Sequence, residues 1–300
     1  MLDVLGFGES SVDSVHVVPA LPREGMSKLR ISSHFAACGG QVATAMAACA
    51  ALGLRAGYLG AVGNDENGAR IRQALNARGV DLSRTIVREA SSRFAVILVE
   101  ESTGERVVLW ERDPRLDLAF GDLTPACAAG ARIVHVDATD EAASIQLARI
   151  ARESGATVTC DVDAVTDRTP ELLSHVSTPI LAAEVPRKLT GITEIERALR
   201  AMRGSHPGLL CVTLGERGSA ALDGDRFVEV PAPAVSAVDT TGAGDVFRAG
   251  CIYALIQAWP TDEMLRFANA AAAVSCTRRG AIDSVPTLVE VRTLIQAGVR

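Results

Sequence analysis

Arg132-Ile133-Val134-His135-Val136-Asp137 opens the stretch that decides the fold. This short apolar run precedes a helical pattern over Glu141 to Arg152. It is followed by Thr157-Val158-Thr159-Cys160-Asp161, a short strand at Ile180-Leu181, a second helical pattern over Ile192 to Met202, and a final run from Leu209 to Leu214. Strands of this length that alternate with helices require crossover connections, and crossovers lay helices on both faces of a parallel sheet. The fold class expected is therefore α/β.

Toward the N-terminus, Asp3 to Gly6 reads as the first strand, and Val12 to Val18 has the partial alternation of a second. After Gly39-Gly40, the run Gln41 to Leu52 is almost entirely Ala, Val and Met, which predicts a closely packed helix ended by Gly53. Ala56 to Val62 reads as one strand, and Glu66 to Arg78 as a helix closed by Gly79. Phe94 to Val99 and Arg106 to Trp110, joined at Thr103-Gly104, form a hairpin with no long helix to cover its second face, so it is expected to project from the body. Toward the C-terminus, a hairpin over Ala220 to Val230 turns at Asp223-Gly224. Then Val238-Asp239-Thr240-Thr241-Gly242-Ala243-Gly244-Asp245 leads into a helix that is apolar nearly all round, from Val246 to Trp259, and Pro260 stops it.

With 300 residues, 48% of them hydrophobic, the chain can bury one full core, and no repeat or linker divides it; residues 1–300 read as a single domain. The formal charge of -6 supplies no basic field, which speaks against nucleic acid or an anionic membrane as partner and for a small molecule. Asp3 lies where a secretory signal would carry Lys or Arg, and no apolar run reaches membrane-spanning length, so a cytoplasmic location is expected. The 7 cysteines are scattered without a Cys-x-x-Cys pair and read as reduced core residues. The 5 histidines lack the spacing of a zinc helix.

A helix that is apolar on every side is buried, so the glycines that start it end inside the protein or at the floor of a cleft. Gly242, Ala243 and Gly244 can bring bare N–H groups to an oxyanion there, and the helix dipole adds favourable potential at the same point. Asp245 heads this helix. Asp is a common helix cap. A carboxylate aimed at an anion nest, however, repels a bound phosphate unless a neutral group such as a hydroxyl lies between them. That arrangement suits phosphoryl transfer, with Asp245 accepting the hydroxyl proton. No Gly-x4-Gly-Lys-Ser/Thr occurs, and neither Gly242-x-Gly244 nor Gly6-x-Gly8 has the context of a dinucleotide fingerprint.

Asp239-Thr240-Thr241-Gly242-Ala243-Gly244-Asp245 resembles the C-terminal signature of the ribokinase-like (PfkB-type) carbohydrate kinases, and Cys38-Gly39-Gly40 before an Ala-rich helix resembles their N-terminal glycine signature. Val62 to Gly68, Phe267 to Ala272, Gly280 and Ser284-Val285-Pro286 also look like landmarks of that family, so the resemblance spans nearly the whole chain. It implies a three-layer αβα sandwich with a mostly parallel central sheet and a small β lid formed by about 11–35 and 92–112. It also implies transfer of the ATP γ-phosphate to a primary hydroxyl of a monosaccharide, with Mg2+ as a cofactor.

Carried over by position, Asp13, Gly39 and Gly40 would hold sugar hydroxyls, and Thr213, Gly215, Gly218 and Asn269 would line the nucleotide pocket. Asp239, Thr241, Ser275, Gly280 and Ser284 occupy the positions of a monovalent-cation site, so K+ joins the expected cofactors. The family's Asn-x-x-Glu element is absent before Lys188-Leu189-Thr190-Gly191, and Glu184 is the nearest substitute for its magnesium-water role. Thr44 replaces the Asn with which ribose-specific members read their sugar, and the glycine-helix pattern is similar to the branch holding ketohexokinase and sulfofructose kinase. Lys28, Arg106 and Arg112 would either meet an anionic substituent or remain solvated surface charges. An apolar, open lid sheet favours a homodimer through the lid. A nucleoside kinase, a sugar-phosphate kinase and a catalytically silent regulator remain as alternative readings.

Overall fold

The computed structural model describes residues 1–298. Along the chain run β1 (Leu2–Phe7), β2 (Ser11–Val18), β3 (Ser33–Gly39), α1 (Gln41–Ala51), β4 (Ala56–Leu59), β5 (Ala61–Gly63), α2 (Glu66–Ala77), β6 (Ile86–Arg88), β7 (Phe94–Glu100) and β8 (Arg106–Glu111). Next come α3 (Pro125–Ala128), β9 (Ala131–Val136), α4 (Glu141–Glu153), β10 (Thr157–Val162), α5 (Thr169–Ser174), β11 (Thr178–Ala182), α6 (Glu184–Thr190), α7 (Ile195–Met202) and β12 (Leu210–Thr213). The hairpin β13 (Ser219–Asp223) and β14 (Arg226–Val230) precedes α8 (Ala243–Ile256), α9 (Thr261–Ser275) and α10 (Leu288–Gly298).

The main sheet has 8 strands in the order β14-β13-β12-β11-β10-β9-β1-β4. Its pairs are parallel from β4 to β12, and the β13–β14 hairpin adds an antiparallel edge. Successive residues separate into two cores, as the pleat requires: Leu5 and Val134 face α4, α5 and α7, whereas Val4 and Ile133 face α1, α2 and α8. Helices thus cover both faces, giving the three-layer α/β sandwich expected for the ribokinase-like architecture.

A separate 4-stranded sheet, β3-β2-β7-β8, forms the lid-like element. Its strand β3 continues past residue 35 to Gly39, so the sheet runs directly into the glycine pair before α1. The single strand expected over Ala56 to Val62 is two: β4 joins the main sheet, and β5 leaves it to pair with β6. Helix α8 ends at Ile256, three residues before Trp259. Ala258 adopts a φ of 53°, and Trp259 folds back against Tyr253 and Phe267. Cys49, Cys160, Cys211 and Cys251 are buried free thiols in these cores.

Candidate active site

The parallel strands end on one edge of the sheet, and the residues just beyond them build two cavities, the usual position for a site in an open α/β sheet. One cavity, of about 410 Å3, lies under the small sheet and is lined by Glu9, Asp13, Gly40, Gln41, Arg93, Thr139, Asp163, Thr241, Gly242 and Asp245, among others. The other, of about 580 Å3, is more apolar; Ala232, Pro233, Val235, Phe247 and Ala273 line it together with Thr213, Gly215, Gly218 and Asn269. Both reach the start of α8. Thr241, Gly242 and Asp245 face the first cavity, and Thr240, Ala243 and Gly244 face the second.

Gly242 occupies the N-cap of α8 in the left-handed conformation, φ 77°, and no side chain caps this helix. The capping reading of Asp245 is therefore not realised: Asp245 accepts no hydrogen bond from any described residue and faces the cavity instead. The Ala243 N–H is engaged in the turn, donating to Thr240 O at 3.2 Å. Of the three amides expected to form a nest, that of Ala243 is thus occupied; the first amides of a helix otherwise have no intrahelical acceptor. Burial, with the Asp161 carboxylate next in importance, pushes the Asp245 carboxyl well above its ordinary range, while Arg248 pulls it back.

Asp13, on β2, accepts from Ser11 Oγ at 3.0 Å, and burial raises its carboxyl as well. Glu9 forms an ion pair with Arg93 and accepts from Thr139 Oγ1 at 3.0 Å. Beneath it, burial and the nearby Glu9 charge push Asp137 up to about 7, although the amides of Glu9 and Thr139 donate to its carboxyl. Gln41 Nε2 donates to Asp163 Oδ2 at 3.0 Å across the cavity mouth. Glu9, Gln41, Arg93, Thr139 and Asp163 escaped the sequence reading. Each lies at a strand or helix end, which was the one available signal.

The remaining expected residues divide into those at the cavities and those away from them. Gly39 lies against Asp13, whose Oδ2 is 3.1 Å from where a Cβ would stand. Asn269 is buried and donates to Val230 O at 2.9 Å, so it holds the 230–231 wall of the second cavity. Asp239 accepts from the amides of Thr241 and Gly280, each at 2.9 Å, tying two loops together. Burial opposes ionisation of this carboxyl, but those hydrogen bonds outweigh it and hold Asp239 below its usual range. The hydroxyls of Ser275 and Ser284 donate to Ala272 O and Ala281 O.

Several expected residues line neither cavity, Thr44, Arg106 and Glu184 among them. Thr44 is 0% exposed behind Gly242, and its hydroxyl has no partner among the described residues. Arg106 is exposed at the start of β8. Glu184 is exposed and paired with Arg187. Arg112 pairs with Asp117, outside the first cavity, and Lys28 is exposed.

The family described as pfkB family carbohydrate kinase matches residues 1–288. A fructokinase-1 of Oryza sativa subsp. japonica is 31% identical over 323 residues, covering 98% of this chain and 98% of that protein. A ribokinase of Haemophilus influenzae is 27% identical over 297 residues, with 96% and 97% coverage. An Arabidopsis thaliana ribokinase, solved in complex with ribose and ATP, superposes with a TM-score of 0.87 at 27% identity, covering 98% of this chain and 99% of that one. The chain belongs to the pfkB family of carbohydrate kinases. Its fold, family and relatives define the class of enzyme: an ATP-dependent carbohydrate kinase. Among the described residues, no helix is long and apolar enough to cross a membrane.

Proposed function

We propose that this kinase transfers the γ-phosphate of ATP to a primary hydroxyl of a neutral monosaccharide, a ketose such as fructose or a close relative, with Asp245 as general base. The observation that carries the reading is the first turn of α8, which forms a common wall between the two cavities. A hydroxyl held beside Asp245 and a phosphate held against the Gly242 to Gly244 turn would meet there in line. The apolar second cavity suits a purine ring, and the fructokinase and ribokinase relatives support a sugar in the first.

Charge narrows the substrate. Glu9, Asp13, Asp163 and Asp245 line the first cavity, and its guanidinium, Arg93, is already paired with Glu9. Like charge around the cavity disfavours a phosphorylated or acidic sugar, and hydroxyl donors satisfy carboxylates well. Among the described residues, the lining of this cavity carries no aromatic ring on which a nucleobase could stack, which also disfavours a nucleoside acceptor. Coupled ADP-release assays are expected to show turnover with fructose or another neutral sugar at least ten times that with fructose 6-phosphate, gluconate or adenosine. Preference for any of the last three would reject this assignment.

Among the described residues, no group of three or more His, Cys, Asp and Glu side chains is placed to hold a metal. Magnesium keeps most of its waters and binds phosphates, so it would act as a partner of ATP, supplying charge neutralisation; Glu184 is exposed and paired with Arg187. A potassium ion would lie between the 239–242 and 275–284 loops, which Asp239 ties together. Both Asp239 oxygens accept backbone amides there, so main-chain carbonyls would supply the ligands. The same assay run with and without potassium tests that site, and equal rates would remove it.

We also propose that a second copy of the chain covers the small sheet. Edge strand β8 presents Val107, Val108, Leu109 and Trp110, the last two 55% and 64% exposed, more apolar edge than a monomer usually leaves open. Light scattering at micromolar concentration is expected to give twice the chain mass; a monomer would refute this.

A further inference from the structure

Arg248 is the one charged side chain in the buried run Val246 to Ala254 of α8, and it is 4% exposed. It lies one turn beyond Asp245, on the same side of the helix. Its Nη2 stands 2.5 Å from Oδ1 of Asp161, which is 1% exposed near the end of β10. Its Nη1 lies 2.7 Å from where a Cβ on Gly244 would be, so the guanidinium packs directly against the glycine turn that faces both cavities. A buried ion pair of this kind contributes little to stability relative to an apolar pair of the same volume. Its location beneath the reacting groups suggests a different use.

We propose that Asp161 and Arg248 are positioning residues: a buried charge pair that orients the first turn of α8 and fixes the pH at which Asp245 takes up a proton. This inference rests on the role of Asp245 as base. Several charged groups face Asp245. Asp161 and Asp163 come from β10 and the turn after it, Glu9 from the end of β1, Asp137 from the end of β9, Asp13 from β2, Arg93 from the approach to β7, and Arg248 from α8 itself. Glu9 is paired with Arg93, and Glu9 and Asp137 add smaller repulsions to that of Asp161. His135, hydrogen-bonded through Nδ1 to Thr159 Oγ1 at 2.9 Å, is pushed down to about 3 by burial and then by Arg248, so it stays neutral and brings no compensating charge. Asp161 and Arg248 therefore act on Asp245 with opposite signs. Burial raises Asp245, the Asp161 carboxylate raises it further, and Arg248 opposes both.

The sign of each substitution follows. A base works deprotonated, so activity disappears as pH falls through its pKa. Asp161→Asn removes the repelling carboxylate and leaves Arg248 unopposed, and the acid limb of the kcat/KM profile is expected to move to lower pH by about one unit. Arg248→Gln leaves two neighbouring carboxylates without their cation, and the limb is expected to move up by a similar amount. Arg248→Lys keeps the charge and should keep the limb near its wild-type position. If Arg248→Gln does not fold, Asp161→Asn decides the matter, because its amide still offers the guanidinium an acceptor.

Asp245→Asn is measured alongside. Opposite displacements in the two charge-removing variants, with Asp245→Asn inactive, support the proposal. An unmoved limb in folded Asp161→Asn, with Asp245→Asn inactive, overturns the charge-pair role and leaves the base assignment standing. Wild-type turnover in Asp245→Asn overturns the base assignment and this inference with it.

Discussion

Asp245→Asn is expected to reduce kcat by at least about 10²-fold, the low end for removing a general base, while the fold and the affinity for ATP survive. The amide is nearly the same size, and no hydrogen bond from a described residue depends on the carboxylate. Affinity for ATP should hold because the residues around the second cavity, from Thr213 to Cys276, are untouched, and Asp245 is not among them. Stability should rise slightly, since the carboxyl lies near Asp161, Glu9 and Asp137, and its charged form is disfavoured by burial and by those neighbours. Functional sites commonly tolerate such local conflict. Calorimetric ATP binding, a melting curve and steady-state turnover measured together check all three parts. Turnover close to wild type would show that some other group takes the proton.

Some of this site was legible because chemistry and periodicity coincide in one short segment. The all-round apolar pattern from Val246 marks a buried helix, and the glycines before it mark where its N-terminus must admit an anion. The alternation from Ile133 to Leu214 likewise fixed a parallel sheet, because strands joined through helices have no other way to pair.

What could not be read depends on distant residues meeting. Asp161 in an apolar strand and Arg248 in an apolar helix each look like an isolated exception, and only the packing of α8 on β10 joins them. Glu9, Arg93 and Asp163 come from three separate chain turns. Thr44 lies off the cavity wall for a helical reason: the cavity is lined by Gln41 at the first position of α1, and Thr44, one turn later, packs behind Gly242. Strand β3, Ser33-His34-Phe35-Ala36-Ala37-Cys38-Gly39, lacks the alternation of a half-buried strand and is fixed by its pairing with β2.

Gly40→Ala should raise the KM for sugar more than ten-fold and lower the melting temperature by several degrees, with ATP affinity unchanged. Gly40 has a φ of 97°, and an added Cβ would stand 2.5 Å from Ser10 Cα and 2.6 Å from Glu9 O, both backbone atoms that cannot rotate away. With φ 97° and ψ 141° Gly40 lies in a region that essentially only glycine adopts, which costs an alanine about 1–3 kcal/mol, and forced overpacking about 1–3 more. The relief open to the chain is to separate α1 from the loop after β1. That movement would break the bond from the Ala43 N–H to Glu9 O, 3.1 Å long, and carry Glu9, Ser11 and Gln41 away from their places around the first cavity. About 1.4 kcal/mol of lost sugar affinity already gives the ten-fold change. The second cavity draws on none of these residues, so equal losses for sugar and ATP would mean that Gly40 acts on the whole domain instead of on the sugar site. Unchanged KM and melting temperature would mean that the loop yields at no cost.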